Sequence, residues 1–228
     1  MEGGLSGLAQ GILTLPVLWF SLICHEVAHA YAAYRAGDDT ARLQGRISLD
    51  PRAHLDPVGT ILIPIIMIFS PVQLPLIGWA KPVQINPLRF RSGKWKIIVA
   101  LAGVTVNLAL VLVAVLLLKL FMVSGLASHM SPDMQAFNAF DMLFFVLERF
   151  MLLNLVLMIF NLLPIPPLDG SHVVLYFIRT RESVAFRVFE FVERYSFIIL
   201  ILLMYTGVLK YVFQPVFWVF SKFLDFVM

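Results

Sequence analysis

Apolar residues run from Leu5 to Cys24 with Ser6, Gln10, Thr14 and Ser21 as the only polar side chains. Continued helically to about Arg35, this segment is long enough to cross a hydrocarbon core of about 30 Å, and Gly37-Asp38-Asp39 closes it with a polar turn. Residues 38–56 are polar, and Ala41 to Leu49 alternates in period two, which predicts short strands. A second apolar run, Val58 to Ile77, is interrupted by Pro64, Pro71 and Pro75. Gly78 to Pro87 reads as an extended, Pro-rich piece ahead of the basic stretch Arg89 to Lys96. Ile97 to Val123 predicts a transmembrane helix with Asn107 as its main polar residue. Ala139 to Leu163 predicts another, carrying Glu148-Arg149, Asn154 and Asn161, and Pro164, Pro166 and Pro167 stop it. Val173 to Ile178 is short. Ser183 to Arg194 is an amphipathic charged helix leading into the apolar Tyr195 to Leu209. In the last stretch Lys210, Gln214, Lys222 and Asp225 recur near helical period, as in an interfacial or tilted helix. No internal repeat is visible, so 1–228 is one membrane-embedded domain, with a core over about 5–180 and C-terminal helices over 183–228.

Composition narrows the class. The chain is 60% hydrophobic and 14% charged, with a mean hydropathy of +0.89, whereas soluble domains are about 45–50% apolar. An all-α polytopic membrane protein is expected. The net charge of +3 is small and its basic residues lie in loops, so they set topology and point to no nucleic-acid partner. Residues 35–56 hold four Arg, 78–96 hold five Lys or Arg and 164–187 hold three Arg, against none in 124–138. The positive-inside bias puts the first three on the cytoplasmic side. Val58–Ile77 would then enter and leave on one side, giving a transmembrane bundle with a re-entrant or β-hairpin-like segment between its first and next core helices. A kinked full crossing is the alternative, and it leaves the most basic loop outside. The first apolar run has no basic residues ahead of it and is expected to be retained. The single cysteine, Cys24, rules out an intrachain disulfide and reads as an inert buried thiol.

Within the first run lies His25-Glu26-Val27-Ala28-His29. On a helix, positions i and i+4 share a face, so both imidazoles reach one Zn²⁺, and Glu26 flanks the metal as a general base for water. Catalytic zinc needs a third protein ligand. The fourth run travels from outside to inside and ends at Asp169, at the depth of the two histidines. An unpaired carboxylate in that apolar stretch costs several kcal/mol, which coordination would remove. Asp169 also fits as the cap of a helix beginning near Ser171. Glu190 and Glu193 are rival ligands, although Arg187 and Arg194 at helical spacing make a solvated face the better account of them.

The H-E-x-x-H segment together with Asn161-Leu-Leu-Pro164-Ile-Pro166-Pro-Leu-Asp169-Gly170 resembles the site-2 protease family of intramembrane zinc metallopeptidases. His54-Leu-Asp56-Pro57-Val-Gly59-Thr60, Gly78-Trp-Ala-Lys81-Pro82-Val and Asn86-Pro87 resemble its small prokaryotic branch, without PDZ-like or CBS-like insertions. One departure is Val104 after Ala102-Gly103, where the family often has Pro. The resemblance implies one Zn²⁺ per chain held by His25, His29 and Asp169, with Glu26 as catalytic base. Asn161 is the candidate for binding the substrate backbone or the oxyanion. Asn154 suits an interhelical bond better. His54 fits equally as an orienting group near the metal and as a turn-stabilising residue. His172 is a weaker candidate for a place beside the ligands, and His129 suits a bland polar role.

The expected reaction is hydrolysis of peptide bonds in or near transmembrane segments of other proteins, in a prokaryotic inner membrane, with the active site toward the cytoplasm. A catalytically inactive membrane scaffold of the same fold is the alternative, and an intact Glu26 weighs against it. A di-iron oxygenase would need more than the five histidines present. A CAAX-type protease would need a downstream Glu ligand and leaves Asn161–Gly170 unexplained.

Overall fold

The computed structural model describes residues 7–69, 78–131, 138–178, 180 and 182–227. Three helices carry the bundle: α1 (Gly7–Ala36), α3 (Lys94–Val123) and α4 (Ala139–Asn161). Among the described residues these three are long and apolar enough to cross a membrane. Between the first two lie short helical turns at Thr40–Leu43 and Pro51–His54, then a wide π turn over Pro57–Leu62 that runs into α2 (Ile63–Phe69). The Asp56 side chain starts that turn by accepting from the N–H groups of Val58 and Gly59. The described chain ends with α5 (Asp169–Phe177), α6 (Val184–Arg194), α7 (Ser196–Tyr205) and α8 (Leu209–Val227).

α3 is the central staff, packed against α1, α4 and α5. Its Val111, Ala114, Val115 and Leu118 fall at helical spacing and bury themselves against Met151, Leu155 and Ile159 of α4, with Phe213, Phe217 and Phe220 of α8 across the cluster. Large apolar residues on the remaining faces, such as Leu112, Leu116 and Leu120, stay exposed, as a lipid-facing surface requires. At the other end of α1, Ala30, Ala33 and Ala36 are fully buried. Small side chains there let backbones approach closely, as in membrane helix contacts. An Asn138–Asp141 capping box opens α4 by satisfying its first N–H groups,.

The strands expected over Ala41 to Leu49 do not form. Asp38, fully buried, accepts from the Thr40 N–H and hydroxyl, which starts a helical turn where the alternation predicted extension. Gly45 then takes a left-handed φ of 70°, and Leu43 and Leu49 both face outward. Local side-chain-to-backbone hydrogen bonding outweighs a weak period-two pattern here. No strand is present among the described residues. Gly78–Asn86 is instead a single extended strap lying over the polar loops. The choice between re-entry and crossing for Val58–Ile77 turns on 70–77, including Pro71 and Pro75, which lie outside the described residues.

The strap is pinned along one edge. The N–H of Trp79 donates to the Gly59 carbonyl at 3.2 Å and that of Lys81 to the His54 carbonyl at 2.9 Å. Asp38 accepts the Asn86 N–H at 2.6 Å. Burial pushes the Asp38 carboxyl up, but the donors from Asn86 and Thr40, with Arg89 nearby, outweigh it and hold the group below the ordinary carboxylate value,.

Candidate metal centre

His25 and His29 are buried on the face of α1 that meets α3. α3 supplies a hydrogen-bond acceptor for each ring. His25 Nδ1 lies 2.9 Å from Asn107 Oδ1, and His29 Nδ1 lies 2.7 Å from the Val99 carbonyl. A carbonyl only accepts, so both rings carry their proton on Nδ1 and turn the lone pair of Nε2 inward. The two Nε2 atoms are 3.1 Å apart.

Asp169 reaches the same point from the start of α5. Its Oδ2 is 3.3 Å from His25 Nε2 and 3.2 Å from His29 Nε2. The capping alternative does not hold: Leu168 is the N-cap of α5 and makes no side-chain cap bond. Gly170 makes the approach feasible, because a Cβ there would lie 2.2 Å from the Leu162 carbonyl oxygen. The chain therefore folds back tightly after α4 and delivers the carboxylate to the histidines.

Three lone-pair donors aimed at one point repel unless a cation sits among them. Asp169 Oδ2 is buried without a hydrogen-bond partner, and His25, His29 and Asp169 form a group whose ligand atoms all lie within 4.8 Å of one another. Bonds of about 2.0–2.1 Å in a tetrahedral zinc site place neighbouring ligand atoms about 3.3 Å apart. The observed separations fit that. Nitrogen and carboxylate donors with three protein positions also fit a catalytic rather than a closed structural zinc site.

Gly103 of α3 shapes the cradle. A Cβ at this position would lie 2.4 Å from both His25 Cε1 and His29 Nε2. Gly103→Ala should therefore push the rings apart and lower zinc affinity by about 10–100-fold, the range seen when ligand orientation is disturbed. Zinc titration of the purified variant checks this.

Glu26 lies one residue from His25 and is partly buried. Its Oε2 accepts the backbone N–H of Val83 in the strap at 2.8 Å. This contact was invisible in the sequence, because a main-chain donor leaves no residue-type signature. The roles of Asn107 and Gly103 were also missed, although their i, i+4 spacing on one helix face was a usable signal.

The remaining candidates make other contacts. His54 is almost fully buried, with Nε2 2.9 Å from the Ser48 carbonyl, and its own carbonyl holds Lys81. These contacts match its turn-stabilising alternative. Asn161 Nδ2 donates back to the Leu157 carbonyl of its own helix at 2.9 Å. Asn154 donates across to Ser21 Oγ of α1 at 2.9 Å. His172, Glu190 and Glu193 are exposed, and His129 stacks on Phe140.

Comparison with known proteins bears on this arrangement. The model of peptidase family M50 matches residues 120–203, the stretch that contains Asp169. A protein of Bacillus subtilis named "Putative zinc metalloprotease YwhC" is 37% identical over 90% of this chain and 84% of its own length. The chain belongs to peptidase family M50, the site-2 proteases. Two further M50 relatives share the name "Putative zinc metalloprotease Rip2". The one from Mycolicibacterium smegmatis is 27% identical over 92% of this chain and 73% of its own length. The one from Mycobacterium tuberculosis H37Rv is 29% identical over 89% and 71% respectively. No solved structure matches the M50 chain significantly.

Proposed function

We propose that this M50 zinc metalloprotease hydrolyses peptide bonds in or near the transmembrane segments of other membrane proteins, using His25, His29 and Asp169 as zinc ligands and Glu26 as general base. The observation that carries the reading is the convergence of three ligand atoms beside Glu26, on a helix of membrane-spanning length. Zinc held there supplies Lewis acidity, acidifying water toward neutral pH and polarising a carbonyl. Glu26 takes the proton of the attacking water and returns it to the leaving amide nitrogen, so both product termini are completed without a covalent intermediate. Asn107 and the Val99 carbonyl keep the imidazoles in the tautomer that leaves Nε2 free for metal. A scaffold role has no use for a carboxylate at position 26.

A helical substrate hides its carbonyls in hydrogen bonds, so it must unwind locally before attack. The strap supports a route for holding the unwound stretch. Its inner N–H groups, at Trp79, Lys81 and Val83, are taken, and Pro82 has none. Gln84, exposed on the strap, has a backbone N–H with no backbone partner among the described residues. Pairing of an unwound substrate strand with the strap there would satisfy main-chain groups of both chains. The basic loops, by the positive-inside bias, support a site on the cytoplasmic side of an inner membrane. The test is cleavage of a single-span protein co-reconstituted in liposomes with the purified, zinc-loaded enzyme. A Gly or Pro placed in the substrate helix should speed cleavage. Indifference to helix-breaking residues would contradict the unwinding step.

A further inference from the structure

We infer that Arg46 is a positioning residue for the general base, acting through the strap; the inference rests on the role proposed for Glu26. Arg46 lies in the loop after α1 and is 6% exposed, yet no carboxylate among the described residues pairs with it. Its Nη2 instead donates to the Lys81 carbonyl and, at 2.9 Å, to the Pro82 carbonyl. A buried cation kept without a counter-ion is costly, and here its charge is spent on two consecutive main-chain oxygens.

The residue after that clamped pair is Val83, whose N–H holds Glu26 Oε2. Arg46 fixes the two peptide units that aim this N–H, while the His54 carbonyl accepts the N–H of Lys81. Oε2 is thereby committed to the strap, and Oε1 has no hydrogen-bond partner among the described residues. A carboxylate anchored through one oxygen presents the other in a fixed direction, as proton transfer at a metal site requires. Both bonds leave one nitrogen, Nη2, and arginine suits the place because its guanidinium stays charged when buried, whereas a lysine ammonium is readily neutralised by burial.

The test uses the full chain in detergent or liposomes. Arg46→Met should keep bound zinc and leave KM for a single-span substrate unchanged. Its kcat should fall on the order of 100-fold, the cost of misplacing a catalytic group by about an ångström. Amide exchange at Val83 should lose its protection, and Arg46→Lys should recover part of both kcat and protection. Should Arg46→Met fail to fold or lose zinc, Val83→Pro decides, since it removes the N–H that holds Glu26 at a position already preceded by Pro82 in extended chain; it should lower kcat similarly with zinc retained. A kcat within about threefold of the parent in the deciding variant, or a loss carried by KM alone, overturns the inference. Full cleavage by Glu26→Gln would instead overturn the role of Glu26 itself, and the exchange at Val83 would still report whether Arg46 holds the strap.

Discussion

Glu26→Gln is expected to retain zinc and to lose about 10²–10⁴-fold in kcat, the range that a positioned general base contributes. The amide is close in shape to the carboxylate, and its oxygen still accepts the Val83 N–H that Glu26 Oε2 accepts at 2.8 Å. Strap, helix and ligand cluster therefore stay in place. What disappears is a basic oxygen able to hold a proton between the attack of water and departure of the amine. Bound zinc measured by mass spectrometry, alongside cleavage of a single-span substrate, separates these effects. Unchanged cleavage would remove Glu26 from the mechanism and revive the scaffold alternative.

Asp169→Ala should differ in kind, because it empties the metal centre. His25 and His29 remain, each held by α3, but the carboxylate whose Oδ2 lies 3.3 and 3.2 Å from their Nε2 atoms is gone. Two neutral imidazoles do not make a three-ligand site, so zinc should be lost on dialysis. The fall in affinity should exceed the roughly 10–100-fold that follows removal of an outer hydrogen-bond partner. Cleavage should fall with it. The helices should persist by circular dichroism, since Asp169 neither caps α5 nor fills the buried core. Full zinc occupancy with normal activity would refute the ligand assignment.

The sequence made the first half of the site legible because its signal is local. Two histidines four apart on one apolar helix share a face whatever surrounds them. Asp169 was legible less directly, through charge bias in the loops and the direction of the fourth apolar run. The rest depends on long-range contacts. Asn107 and Gly103 touch the histidines only because α3 packs along α1, and the Val99 and Val83 contributions are made by main-chain atoms that any residue carries. The polar loop misled for a physical reason: alternation over Ala41 to Leu49 reads as strand, but Asp38 turns the chain by accepting from Thr40, and Arg46 is turned inward onto the strap. The long helices were placed to within a few residues because apolar length is a strong signal. The path of 70–77 was not decidable from three prolines alone.

The position of the cut is the most direct measurement of intramembrane hydrolysis. The purified protein, co-reconstituted with a single-span substrate in liposomes and supplied with zinc, should release products whose new termini, mapped by mass spectrometry, fall within or at the edge of the apolar segment, and Glu26→Gln should release none. Cuts confined to the soluble flanks, or the same products from Glu26→Gln, would contradict an intramembrane zinc protease built on His25, His29 and Asp169.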